Sequence, residues 1–240
     1  MLMLIRPLTV IVAIYVLAAV LPAFFLLRYI YRQDKVEKEP IGLLVKLLFM
    51  GVLSALCSIV LESIGQRILN LLAVPGSVVH TVLLAFVVVA MVEEGTKFYF
   101  LKRRTWNDWN FNYRFDGIVY AVFVSLGFAA YENIRYVMSY GLSVAFARAI
   151  SAIPGHMSFA VFMGLFYGRA KVSHSWGDER GCRKNLRRAY VSAVLMHGFY
   201  DACAMMGTTA SMLVFLVFVA VLFLTVARLV KRESQRDIPV

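Results

Sequence analysis

Glu93 and Glu94 are adjacent carboxylates inside an apolar stretch, 78–101, that also contains Lys97. Three further apolar stretches each hold ionisable residues: Glu132 in 117–138, His156 in 143–167, and His197 with Asp201 in 189–206. A charge near the centre of a bilayer costs ~2.5–3.5 kcal/mol on insertion scales, so such residues face the interior of a helix bundle and mark function. Carboxylates and imidazoles are also the groups that take a proton from water and stabilise charge developing on a carbonyl. The set points to water activation inside a membrane.

The spacing within each stretch refines this. On a helix, Glu93 and Lys97 are i,i+4 and Glu94 and Lys97 are i,i+3, so they are neighbours on one face. An internal ion pair accounts for Lys97 and one glutamate but leaves the other without a local partner. Two adjacent carboxylates in low dielectric do not both ionise cheaply, and a pair whose titrations split is suited to acid–base work. Either glutamate could be the base.

Glu132 follows Gly127, Ala129 and Ala130, small residues that permit close helix approach, and precedes Asn133. Its plain alternative is an ion pair with Arg135 near the outer surface. Pro154 lacks an N–H for the carbonyl of Ile150 and is expected to loosen or kink the helix, making room beside His156. His197 and Asp201 are i,i+4, the arrangement in which a carboxylate orients an imidazole.

A metal reading uses the same residues. His156, His197 and Glu132 would form a His₂Glu set, with another glutamate as base. No HExxH-type spacing preorganises these ligands. Glutamate and histidine alone can supply the chemistry, so a metal-free site is the expectation and one zinc ion the alternative.

These residues need helices to hold them. The chain has 240 residues, 61% hydrophobic and only 16% charged, where soluble domains run at roughly a quarter charged. The fold class is therefore an all-α polytopic membrane protein, a single integral membrane domain over 1–240. A span needs about 20 apolar residues. Seven candidates meet this: 7–28, 41–61, 78–101, 117–138, 143–167, 189–206 and 211–230, with the chemistry confined to a core of 78–206. The first is too long for the ~7–15-residue apolar region of a signal peptide and reads as a retained span. Segment 62–74 is either an amphipathic surface helix or a continuation of the second span.

Net charge is +11, and 19 of the 25 basic residues lie in four segments: 28–40, 102–116, 168–188 and the tail from Arg228. With seven spans, an outside N-terminus and a cytosolic C-terminus put all four on the cytosolic side. Arg6 dissents mildly. This distribution is a membrane signal and not a nucleic-acid surface, since no basic stripe is interleaved with aromatics. Cys57, Cys182 and Cys203 are scattered and support neither a disulfide framework nor a thiolate zinc site. Gly164 and Gly168 form a GxxxG read as packing.

The ordered set Asp34-Lys-Val-Glu37-Lys-Glu39-Pro40, Glu93-Glu94-Gly-Thr-Lys97, Phe128-Ala-Ala-Tyr-Glu132-Asn133, His156 and His197-Gly-Phe-Tyr-Asp201 resembles the PrsW family of intramembrane proteases. That family is related to the CAAX-processing and bacteriocin-immunity membrane proteases. The resemblance implies a multi-pass protein of the bacterial cytoplasmic membrane. It implies an endopeptidase that cuts in or near the transmembrane segment of a membrane-anchored partner, such as an anti-sigma factor. The implied catalytic positions are Glu93, Glu94, Glu132, His156 and His197, with Lys97, Asn133 and Asp201 in support. The related CAAX group often has asparagine where this chain has Asp201; an ionised aspartate can orient His197 but cannot donate to an oxyanion. The rival reading is a proton- or ion-coupled transporter using the same residues. It would usually be longer, with inverted repeats, and none is evident.

Overall fold

The computed structural model describes residues 2–240, with side chains from Thr9 onward, so Arg6 lies outside the described side chains. Among the described residues the architecture is helical, with no strand beyond an isolated bridge between Tyr113 and Pro239. The helices are α1 (Leu2–Gln33), α2 (Ile41–Leu72), α3 (Val78–Leu83), α4 (Met91–Thr105), α5 (Asp116–Tyr140), α6 (Leu142–Ile150), α7 (Ala152–Ser175), α8 (Glu179–Met205) and α9 (Thr209–Gln235). A π-helical stretch, Leu84–Ala90, joins α3 to α4.

Six helical units are long and apolar enough to cross a membrane: Thr9–Gln33, Ile41–Leu72, Val78–Thr105, Asp116–Tyr140, Leu142–Ser175 and Thr209–Gln235. The seventh expected span, 189–206, falls within α8. That helix begins ten residues earlier, at Glu179, and carries a charged first half. The expected 168–188 loop shrinks accordingly to a turn at 176–178, and most of its basic residues ride on the ends of α7 and α8. Segment 62–74 continues α2 as far as Leu72.

The loosening expected from Pro154 takes the form of a break one turn earlier. The chain breaks at Ser151, and Pro154 sits in the first turn of α7, where no intrahelical donor is required. Gly141, with φ of 85°, makes the one-residue turn from α5 into α6.

α5 is the axis of the bundle, packed against α1, α2 and α7. Close approach explains the glycines on its faces. A Cβ at Gly127 would strike the backbone of Leu48 in α2, and one at Gly164 would strike Gly117 and Ile118. The Gly164/Gly168 pair is thus packing, as expected. Helix association in a bilayer relies on such close van der Waals contact because lipid offers no hydrophobic drive.

The four basic segments meet at one end. Asn112 Nδ2 donates to Glu37 Oε2 at 3.1 Å, Arg114 Nη2 to the carbonyl of Arg236 at 2.6 Å, and Lys171 Nζ to the carbonyl of Trp106 at 2.8 Å. The Ser234 hydroxyl donates to the carbonyl of Gln33. The motif around Asp34 belongs to this knot: buried Glu39 accepts from Tyr120 Oη at 2.6 Å, and Asp116 accepts the N–H groups of Asn112 and Tyr113.

Candidate active site

Glu93 and Glu94 emerge in the first turn of α4, immediately after the π-helical stretch. The wide turns of a π-helix shift the register of side chains that follow, and such bulges recur at functional sites. α8 packs against this stretch, where the absence of a Cβ at Gly198 leaves room for the ring of Phe86. Thr96 ties α4 to α2 through a 2.7 Å hydrogen bond with Ser58.

Lys97 occupies the centre of the site. Its Nζ, 1% exposed, lies 3.1 Å from Glu93 Oε2, 2.8 Å from Glu94 Oε1 and 3.2 Å from Nδ1 of His156, over the ring of Phe128. An ammonium has donors only, so His156 Nδ1 must accept. The proton of a neutral His156 then sits on Nε2, which donates to Glu132 Oε2 at 3.0 Å. Ser125 holds the His156 carbonyl at 2.9 Å, fixing the second turn of α7.

His197 has the opposite state. Its Nδ1 lies 2.9 Å from Glu94 Oε1, and its Nε2 lies 3.3 Å from Asp201 Oδ2 and 4.0 Å from Glu93 Oε2. Both nitrogens face carboxylates, so both act as donors. Phe159 stacks on the ring at 4.8 Å. The two imidazoles, from α7 and α8, stand edge to face with centroids 5.3 Å apart.

Glu93, Glu94, Lys97, Glu132, His156, His197 and Asp201 therefore converge on one place, whereas the Asp34–Pro40 motif lies in the basic knot. Glu132 is not a surface partner of Arg135: its Oε2 is bound by Arg148 at 2.8 Å as well as by His156. Arg148, from α6, was missed in the sequence. Its only signal was a cation in a short amphipathic segment. Asn133 holds it, accepting from Arg148 Nε at 2.8 Å while donating to the carbonyl of Ala19. Glu62 was also missed, because the second span appeared to end before it; it faces the same cavity.

That cavity has a volume of about 330 Å³ and is bounded by Glu62, Glu93, Glu132, Arg148, His197 and Asp201, among others. It extends to Met205 and Phe215, at the α8–α9 turn, the end opposite the basic knot. Glu94 is not on its wall and is fully buried.

Donor atoms of Glu93, Glu94, His156 and His197 lie within 4.8 Å of one another. Two imidazoles and two carboxylates are ligand types that zinc accepts. The donor chemistry fits a metal; the seat does not. Three of the four donor residues already converge on Lys97 Nζ at 2.8–3.2 Å, so a dication using those same atoms would compete with the ammonium. Glu132, expected in a His₂Glu set, instead faces the far nitrogen of His156.

A multi-helix bundle with a buried carboxylate–histidine cluster on a cavity is the architecture of a candidate active site in a polytopic membrane protein. Comparison with known proteins gives the class its family. The model of the PrsW family intramembrane metalloprotease matches residues 39–227, and the chain belongs to that family. It is 30% identical to Protease PrsW of Oceanobacillus iheyensis over 92% of this chain and 96% of that protein. It is 31% identical to Protease PrsW of Bacillus subtilis over 84% and 88%, and 32% identical to that of Geobacillus kaustophilus over 77% and 76%. No solved structure matches. The chain is thus a multi-pass membrane peptidase, and the transporter reading is not favoured.

Proposed function

We propose that the protein is an intramembrane endopeptidase that hydrolyses a peptide bond in or near a transmembrane segment, with Glu93 activating water. The observation that carries this is the division of labour in the glutamate pair. Glu93 borders the cavity, where water can reach it, whereas Glu94 is sealed against Lys97 and His197. Glu93 takes a proton from water as the oxygen attacks the scissile carbonyl. His197 stays anchored on Glu94 through Nδ1, and its Nε2–H, 3.3 Å from Asp201 in the free protein, turns to the developing oxyanion. The tetrahedral intermediate collapses as Glu93 returns the proton to the leaving nitrogen, giving a carboxylate and an amine. His156 bridges Lys97 on one nitrogen and Glu132 on the other, and serves to position both.

The reaction proceeds without a resident metal in this reading, because Lys97 supplies the positive charge at the point where the donors converge. Zinc, where bound, would contribute Lewis-acid polarisation of water or carbonyl. The four-donor cluster and the description of the family favour that second reading, which requires Lys97 to leave its seat.

The substrate is a membrane-anchored protein, such as an anti-sigma factor, in the bacterial cytoplasmic membrane. The N-terminus lies outside and the C-terminus in the cytosol, with α8 as a seventh span. Support comes from the meeting of the four basic segments at one end, which the positive-inside rule assigns to the cytosol. Quantitative proteomics of new protein termini in membranes from cells expressing the wild type or Glu93→Gln tests the function. Termini within or beside single spans should appear only with the wild type. Identical termini in both would refute the reading.

A further inference from the structure

Glu62 is the one carboxylate on the cavity wall for which no hydrogen bond or ion pair is found among the described residues. Its Oε1 is buried without a partner, two-thirds of the way along α2. The others are engaged: Glu93 by Lys97, Glu132 by Arg148 and His156, Asp201 by His197. Glu62 also borders a smaller void of about 30 Å³ with Glu93, Tyr131, Glu132 and Arg135, so it stands where α2, α4 and α5 face one another. A buried carboxylate oxygen left unpartnered costs stability. A group held at that cost on a reaction cavity is one whose partner arrives with the substrate.

The chemistry of the missing partner follows from the reaction. A transmembrane helix must unwind locally to offer a carbonyl to water. The residues just after the scissile bond then begin a new helix with up to four N–H groups unpaired, in a place where lipid cannot satisfy them. In its ionised form the carboxylate only accepts, and in that form it matches these N–H groups and not the carbonyls on the other side of the break. It also complements the positive end of the new helix dipole.

We propose that Glu62 is a substrate-binding residue that caps the freed backbone N–H groups on the C-terminal side of the scissile bond. This rests on the protease reading above. It assigns α2 a part in selecting where a span is cut: Glu62 favours bonds followed by residues able to begin a helix with free N–H groups.

The test uses full-length protein in detergent and a panel of fluorogenic synthetic single-span peptides with central helix-breaking residues. For a peptide that is cut, ester analogues replace, one at a time, the amide N–H at each of the first four residues after the scissile bond. With wild type, at least one ester should lower kcat/KM about ten-fold, the scale of a hydrogen bond to a charged group. Glu62→Met should show a comparable loss on the all-amide peptide and no further loss on that ester, while Glu62→Gln, which keeps an acceptor, should lose less. Glu62→Met should also melt no lower than wild type, since the side chain satisfies nothing in the free protein. Additive losses from ester and Glu62→Met would overturn the role of Glu62 while leaving the protease intact. So would unchanged cleavage by Glu62→Met, or a lower melting temperature. Wild type that cuts no peptide would instead contradict the protease reading, and this inference with it.

Discussion

Lys97 Nζ and His156 Nδ1, on residues 59 apart in sequence, lie 3.2 Å from each other across the bundle. The contact makes a cation the hub of the site and forces His156 to be an acceptor on that side. Removing it leaves Glu93 and Glu94 buried without their shared counter-ion. Lys97→Met should therefore destabilise the protein by about 3–5 kcal/mol, the cost of breaking a buried ion pair from one side. Thermal melting in detergent checks this; a variant as stable as wild type would mean that the two glutamates find other partners.

Arg148 acts on the opposite side of His156, through Glu132. Arg148→Gln removes the charge that holds Glu132 Oε2 and leaves Asn133 Oδ1 without its donor. A protein that still folds but loses about ten-fold or more in cleavage is expected, the scale on which lost partners of a site group act. Peptide cleavage by the purified variant measures it. Full activity would remove the Glu132–Arg148 pair from the machinery.

The chemistry was largely legible in the sequence; its wiring was not. Six acidic and imidazole residues, Glu93, Glu94, Glu132, His156, His197 and Asp201, stand out because apolar neighbours make them expensive, and all six meet. The partner of Glu132 was not legible, because helical spacing offers only Arg135 locally, whereas Arg148 reaches it after the chain turns back through Gly141. Glu62 was hidden by hydropathy, since polar residues after Leu61 obscure the continuation of α2. The π-helical stretch has no signature in its run of Leu, Ala, Phe and Val, yet it sets the direction in which Glu93 and Glu94 leave the helix. The break itself falls at Ser151, three residues before the Pro154 that signals it.

The basic end carries a pH response. Burial raises Asp34 to about 6 and Glu39 to about 7, against Lys38 and the Tyr120 hydroxyl, which favour the charged forms. Glu37 and Asp237 face the same knot and add to the rise, Asp34 also raises Glu39, and a hydrogen bond with Asp116 opposes it. A carboxyl whose folded value is raised contributes stability fully present below its unfolded value, near 4, and lost as pH climbs through 6–7. The melting temperature should fall between pH 5 and pH 8, and Asp34→Asn with Glu39→Gln should flatten that slope. An unchanged slope in the double variant would assign the response elsewhere.

Orientation is open to chemical labelling. In a cysteine-free background, cysteines at Trp109 and Trp176, both exposed at the basic end, should resist an impermeant thiol reagent applied to intact cells. One at Val74, exposed between α2 and α3, should react. Labelling at position 176 in sealed cells would reverse the assigned topology.

The central claim is that Glu93 activates water at a site whose cation is Lys97. Its most direct measurement is the cleavage rate of one single-span peptide by purified wild type and Glu93→Gln, before and after exhaustive chelation, with bound metal quantified in each sample. Wild type should keep its rate when stripped of metal, and Glu93→Gln should be slower by about 100-fold or more, the scale of a general base. Loss of wild-type activity on chelation, restored by one equivalent of zinc, would contradict the claim, as would a Glu93→Gln protein that cuts at the wild-type rate.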